Sequence, residues 1–343
     1  MVPRDFGFKM PPEWTRHSRT LMAWPLEEAA WPGPFEEVLL SFAHIAKKIA
    51  EFEPVTVIAK PEFAGEAADF CGPTVEVVEM GHNDSWMRDM GPTFVMNKKG
   101  EIAGINWIFN AWGGKYPCEE DNLTAAGILD RFHVPRFDAP IVLEGGSIHV
   151  DGEGTLITTE ECLLNKNRNP HLSRKEIEGV VKQYLNVEKI IWLKRGLYGD
   201  DTDGHVDNVA CFARPGAVMV QTCSDPKDPN YEISRENIEI LKSAVDAKGR
   251  ALDIIQIEQP SPVYYEKMRL TLSYINFYFV NGGIILPVFG GDNLEADRQA
   301  EMVMKKTFPH RRIAKVSGLT IARGGGNVHC LTQQMPQGLP ARL

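Results

Sequence analysis

Four times in succession, at intervals of roughly fifty to seventy residues, this sequence spells two short β-prone runs joined by a polar turn, then a helical stretch, then a third β-prone run. The first unit reads Thr93-Phe94-Val95-Met96, a turn at Lys98-Lys99-Gly100, a strand over 102–107, a helix over about 119–131 and a strand near 141–143. The second takes strands 147–150 and 155–158 around Asp151-Gly152-Glu153-Gly154, a helix opened by the capping-box pattern Ser173-Arg174-Lys175-Glu176, and a strand over 189–193. The third has strands 206–212 and 218–222 around Arg214-Pro215-Gly216, a helix over about 232–247 and a strand over 253–257. The fourth has strands 273–280 and 284–289 around Asn281-Gly282-Gly283, a helix near 294–306 and a strand over 312–316.

The two ends of the chain supply a fifth. A short strand over 20–25 is closed by Pro25 and followed by a helix over 35–52. In that helix Phe35, Val38, Leu39, Phe42, Ile45, Ala46 and Ile49 fall at helical spacing. Glu36 and Glu37 stand early and Lys47 and Lys48 late, the polarity the helix dipole favours. Strands over 55–59 and 74–78 flank a short helix over 61–70, and a strand start containing Cys330 lies near the C-terminal end. Joined in space, these pieces complete a split fifth unit. Five ββαβ units around an axis make a closed α/β propeller, a single domain over residues 1–343, with the first strands starting near the centre.

Composition narrows the partners. The chain is 43% hydrophobic and 24% charged, with a formal net charge of −9. That balance fits a globular fold and argues against a phosphate backbone or an anionic membrane as partner, leaving a small cation as the ligand that suits the field. The absence of an 18-residue apolar run and of a signal peptide points to the cytoplasm. The cysteines Cys71, Cys118, Cys162, Cys211, Cys223 and Cys330 are scattered, with no C-x-x-C pair, and read as free thiols. A homo-oligomer stays open.

Chemistry enters where the units converge. The segments at or before each first strand are Trp86-Met87-Arg88-Asp89, Glu144-Gly145-Gly146, Asp201-Thr202-Asp203-Gly204-His205-Val206-Asp207-Asn208 and Gly324-Gly325-Gly326-Asn327-Val328-His329-Cys330. His205 and Asp207 stand two apart, so on a strand they face the same side. The fourth unit offers only neutral groups such as Ser273 and Asn276, which read as walls. Taken singly, Cys330 reads first as a small core residue and Trp86 and Trp112 as core aromatics, while Asp89 could be the partner of Arg88 and Glu144 a turn residue. Residues 111–114, Ala-Trp-Gly-Gly, have the flexible backbone a closing loop needs. Taken jointly, a cysteine, a histidine and several carboxylates share one site.

Met10-Pro11-Pro12-Glu13-Trp14, Met22-Ala23-Trp24-Pro25, Trp86 to Pro92, Asn110-Ala111-Trp112-Gly113-Gly114-Lys115-Tyr116, Asp203 to Asn208 and Gly324 to Cys330 together resemble the agmatine deiminase branch of the guanidine-modifying enzymes, or penteins, relatives of the peptidylarginine deiminases. The similarity runs in unbroken order from about residue 10 to residue 336. It implies a five-bladed α/β propeller, a cysteine nucleophile, no metal and no organic cofactor. It assigns Cys330 as nucleophile, His205 as acid and base, Glu144 as the carboxylate that orients it, and Asp89 and Asp207 as the pair gripping a guanidinium. The implied reaction converts agmatine to N-carbamoylputrescine and ammonia, a step toward putrescine and the polyamines.

The chemistry suits those groups. A guanidinium carbon is a poor electrophile until its N–H groups are held in plane, which two carboxylates do while leaving one face open to a thiolate. For the amine at the far end of agmatine, Asp201 is the favoured partner, at a position where the family commonly has Glu. Trp86 and Trp112 line the aliphatic spacer, and Gly325 lets substrate come close to the backbone. Three alternatives stay open. One is an arginine or peptidylarginine deiminase, or an amidinotransferase, with Arg88 gripping a carboxylate. Another is a zinc hydrolase using His149, His205, Asp207, His329 and Cys330, whose spacing lacks H-E-x-x-H. The last is a guanidine binder without catalysis.

Overall fold

The computed structural model describes residues 1–29 and 31–342. Its α/β architecture repeats one pattern: two antiparallel strands, then a parallel third reached through a helix, because a parallel neighbour cannot be reached by a tight turn. Thr93–Met96, Glu101–Ile108 and Arg136–Val142 form one such sheet, with helix Asp121–Arg131 between the second and third strands. His149–Val150, Thr155–Thr159 and Lys189–Leu193 form the next, with helix Arg174–Leu185. Ala210–Arg214, Ala217–Thr222 and Asp253–Glu258 follow, with helix Asn230–Ser243. Tyr278–Val280, Gly283–Val288 and Arg312–Ser317 come next, with helix Leu294–Thr307.

The remaining sheet joins the chain ends. Gln333–Pro336 lies antiparallel to His17–Ala23, which continues through parallel Val55–Ala59 to Val75–Glu79. Helix Phe35–Ala50 covers it, burying Val38, Leu39, Phe42, Ile45, Ala46 and Ile49, the stripe expected from spacing. Each such side chain contributes about 1.5–3 kcal/mol relative to exposure. The capping box at Ser173 forms as expected, with Glu176 accepting from the Ser173 N–H at 2.7 Å. A small hairpin, Tyr264–Tyr265 with Met268–Arg269, was not anticipated. No helix among the described residues is long and apolar enough to cross a membrane.

The larger corrections fall where the first strands were expected to begin. Residues 206–208 form a 3-10 turn, Val206–Asn208, and the strand starts at Ala210. Gly145–Ser147 is likewise a 3-10 turn, residues 273–277 carry no strand, and Cys330 sits on a single helical turn, Val328–Leu331. Alternation decides this. A strand sends every second side chain to the opposite face, whereas His205, Asp207 and Asn208, or Asn327, His329 and Cys330, are near neighbours in sequence that are all buried. Turns with internal bonds, such as Val209 N–H to Val206 C=O at 2.9 Å, allow that. The turns also pack together: that of Cys330 against Met87–Met90, and Gly145–Ser147 against both Met87–Met90 and Val206–Asn208.

Candidate active site

A cavity of about 400 Å³ opens where these turns meet, lined by Trp86, Trp112, Asp84, Asp89, Asp201, Gly325 and Cys330 among others. Cys330 is 4% exposed, so its sulfur is reached from the cavity and nowhere else is needed. Gly324 and Gly326 make room for tryptophan rings: an added Cβ would stand 2.3 Å from Trp31 and 2.5 Å from Trp86. Gly325, at φ +100°, faces open space instead. Trp31 stacks on Trp86 with centroids 5.3 Å apart, giving the cavity a flat aromatic wall.

His205, Asp207 and Glu144 do not line the cavity; they are buried behind Cys330 and Asp89. The sulfur of Cys330 lies 3.4 Å from Asp207 Oδ2, and the Asn276 amide donates to it at 3.1 Å. Asn276 belongs to the unit expected to supply only walls, yet it contacts the sulfur directly. His205 Nδ1 stands 3.8 Å from Asp89 Oδ1, and His205 Nε2 stands 3.9 Å from Glu144 Oε2. Gly146 lies between these groups: a Cβ there would fall 2.6 Å from His205 Nδ1 and 2.9 Å from both Asp207 Oδ2 and Asp89 Oδ1. The Gly146 N–H also donates to Asp89 Oδ1 at 2.9 Å.

Asp89 accepts a second bond, 3.0 Å from Trp112 Nε1. The segment carrying Trp112, whose backbone suits a closing loop, forms a short turn over Ala111–Gly114. Ala111 and Trp112 hold left-handed φ of 50° and 54°, Asn110 Oδ1 accepts from Gly113 N–H at 2.9 Å, and the Asn110 amide donates to the Asn167 carbonyl at 3.0 Å. Strain of this kind survives only where surroundings fix it. Glu144 has a partner the sequence did not reveal: Arg168, whose Nε donates to Oε1 at 2.6 Å while Nη1 reaches Asp203 at 2.6 Å.

Several charges follow from burial. Cys330 is raised well above the usual thiol range by burial, with Asp207 and Asp89 adding to it. Burial also raises Asp89, with Asp207 and Glu144 adding and His205 opposing. For Asp207 burial acts upward, yet the bond and charge of His329 together with His205 outweigh it and hold the carboxyl low. Asp84, which sequence reading did not single out, is pushed up to about 7 by burial, with Asp121 and Asp89 adding. Asp201 remains largely exposed at the cavity and accepts from the Tyr116 hydroxyl at 2.8 Å.

Two alternative assignments are corrected. Arg88 is buried away from the cavity, its Nε donating to the His329 carbonyl at 3.3 Å and its Nη1 3.5 Å from Glu13, so it is not placed to grip a ligand carboxylate. The alternative zinc set does not assemble. His329 spends both ring nitrogens on Glu13 and Asp207, and His149 Nδ1 accepts the Phe212 N–H. Among the described residues the donors that converge are Glu144, Cys162 and His205, where the Arg168 guanidinium works against a cation.

The sequence matches the Porphyromonas-type peptidyl-arginine deiminase pattern over residues 9–336. It is 46% identical to an agmatine deiminase of Stutzerimonas stutzeri, covering 98% of this chain and 97% of the relative. Its fold is similar to the solved structure of an agmatine deiminase of Enterococcus faecalis, with a TM-score of 0.93, 38% identity and 98% coverage of both chains. It is also similar to a C. jejuni agmatine deiminase solved with substrate bound, with a TM-score of 0.88, 32% identity and 97% coverage of both.

Proposed function

We infer the activity from one premise: the chain belongs to the Porphyromonas-type peptidyl-arginine deiminase family. It is a hydrolase that deiminates agmatine to N-carbamoylputrescine and ammonia. The observation that carries this is a thiol in a cavity lined by Trp86, Trp112 and Asp89, with the Asp207 carboxylate 3.4 Å from the sulfur. The surroundings suit an amine tail. Arg323, the cation of the cavity wall, is paired with Glu37 at 2.8 Å, whereas Asp84 and Asp201 offer negative charge.

In the reading supported by this arrangement, Asp89 and Asp207 accept hydrogen bonds from the guanidinium N–H groups and fix its plane. The Cys330 thiolate attacks the central carbon, forming a C–S bond. His205, as imidazolium, gives its proton to one nitrogen, the C–N bond breaks and ammonia leaves. Water then attacks the thiouronium carbon while neutral His205 takes its proton; the C–S bond breaks, returning the thiolate and releasing the urea product. Glu144 orients His205. Trp86 and Trp112 flank the spacer, Asp201 faces the distal amine, and Gly325 gives the substrate access to the backbone.

The remaining features belong to the same reading: a five-bladed propeller, one catalytic domain over 1–343, no cofactor, a cytoplasmic location, a place in putrescine formation, and assembly into a homo-oligomer left to measurement. The test is ammonia release from agmatine and from arginine, side by side, with the carbamoyl product identified. Turnover of arginine in preference to agmatine overturns the substrate assignment. Near-normal turnover by Cys330→Ser overturns the nucleophile.

A further inference from the structure

His329 adjoins the cysteine in sequence yet does not line the cavity. Its Nδ1 lies 2.9 Å from Asp207 Oδ2 and its Nε2 lies 2.8 Å from Glu13 Oε1, with all three side chains 1–3% exposed. An imidazole that faces a carboxylate at each nitrogen must donate from both, and only the imidazolium does so. The neighbouring groups agree. Glu13 Oε2 is 3.5 Å from His149 Nε2, and because His149 Nδ1 accepts the Phe212 N–H at 3.2 Å, the proton of His149 points at Glu13. Arg88 Nη1 stands 3.5 Å from Glu13, Cys211 shares the small space beside Glu13 and Asp207, and Cys330 and His205 face Asp207 from the other side.

Two buried anions, Glu13 and Asp207, are thus balanced by two cations, His329 and Arg88. Taking the proton from His329 leaves one anion without a partner, which burial penalises heavily. Burial and the Arg88 charge act to lower His329, but Glu13 and Asp207 prevail and raise it. The consequence reaches the cavity through Asp207. Its Oδ2 serves His329 and Cys330, while Oδ1 is buried with no partner and is the oxygen left for a ligand.

Resting on the activity inferred above, we propose that Glu13, from the N-terminal Met-Pro-Pro-Glu-Trp segment, is a positioning residue for the reaction. It keeps His329 doubly protonated, and His329 in turn holds the Asp207 carboxylate with Oδ2 toward the sulfur and Oδ1 toward the guanidinium. Neither Glu13 nor His329 touches the substrate. Their work is done through Asp207.

The test combines kinetics with ring-proton NMR. In Glu13→Gln the anion is gone while the shape remains, so His329 loses its proton at lower pH than in the parent enzyme. The alkaline limb of kcat/KM then moves to lower pH, falling about tenfold per pH unit beyond the new midpoint, as for one required proton. Glu13→Asp, which keeps the charge, restores the parent profile. A purely structural role for Glu13 lowers rates at every pH alike, and a Glu13→Gln profile that superimposes on the parent after scaling overturns the proposal. The NMR arm uses the parent protein alone and needs no turnover: two ring N–H protons on His329 at pH 7 are expected, and a single one overturns the proposal whatever the fate of the variants. Absence of agmatine turnover in the parent enzyme counts against the activity, and is read separately from the protonation state.

Discussion

Arg168 grips one oxygen of Glu144 and leaves the other, Oε2, as the atom nearest His205 Nε2 at 3.9 Å. The pair is fully buried, and Glu144 Oε2 has no other partner. Arg168 therefore decides which way Glu144 faces. Arg168→Met strands a buried carboxylate, so we expect a loss of about 3–5 kcal/mol in unfolding free energy and a drop in kcat. The double variant Arg168→Met with Glu144→Gln recovers most of the stability but not the rate. Urea titration and steady-state kinetics of the parent, Arg168→Met, Glu144→Gln and the double variant check this; additive losses would show that the two residues act independently.

Gly146 is predicted to be intolerant of a single methyl group. A Cβ there would press within 3 Å of His205, Asp207 and Asp89 at once, each of them part of the inferred chemistry. A displacement of about 1 Å among reacting groups can cost a hundredfold in rate. Gly146→Ala should therefore lose at least about a hundredfold in kcat/KM, with circular dichroism and unfolding cooperativity close to those of the parent. Retained turnover would mean that the three side chains need not be so close.

The thiol of Cys330 is held protonated in the free enzyme at neutral pH, since burial raises it and Asp207 and Asp89 add to the effect. A bound guanidinium brings positive charge to the same spot and favours the thiolate. Titrating thiolate absorbance against pH, with Cys330→Ala as the blank, should show an apparent pKa that falls when guanidinium ion is added. An unchanged value rules out activation of the nucleophile by substrate charge.

Asp84 sits in the cavity wall with a carboxyl pushed up to about 7 from an ordinary 3.8. Because the folded value is the higher one, the favourable contribution to stability is complete below the unfolded pKa and is lost as pH rises through about 7. A cation in the cavity prefers the ionised form, so affinity for agmatine should rise as pH climbs through the same range. Below it, binding should release a proton. Calorimetry of Cys330→Ser with agmatine, in buffers of different ionisation enthalpy, measures that release, and Asp84→Asn should reduce it.

Much of the architecture was legible because it is carried by local patterns. The apolar stripe of helix Phe35–Ala50, the Ser173–Glu176 capping box and the glycine-bearing turns each report on neighbours a few residues away. The site was legible only in part. Cys330, His205, Asp207, Asp89 and Glu144, expected to converge, do lie together, but His205 and Asp207 were expected on a strand where the structure has a turn. Arg168, Asn276 and the Glu13–His329 contact were missed for one physical reason. A buried carboxylate or sulfur demands a partner, yet the partners lie 24, 54 and 316 residues away, and nothing local marks them. Around Trp112 the two glycines suggest freedom, and the contacts that Gly113 and Asn110 make with Asn167 are equally unmarked in the local sequence.

The antiparallel pairing of Gln333–Pro336 with His17–Ala23 also dates the enzyme. A ribosome releases the first of these strands more than 300 residues before the second, and domains fold as their segments emerge. Cys330 lies just ahead of Gln333–Pro336, so a chain interrupted before it can hold four finished repeats and still lack the inferred nucleophile. The sheet that joins His17–Ala23 to Gln333–Pro336 is therefore completed late, after the strands between them have emerged.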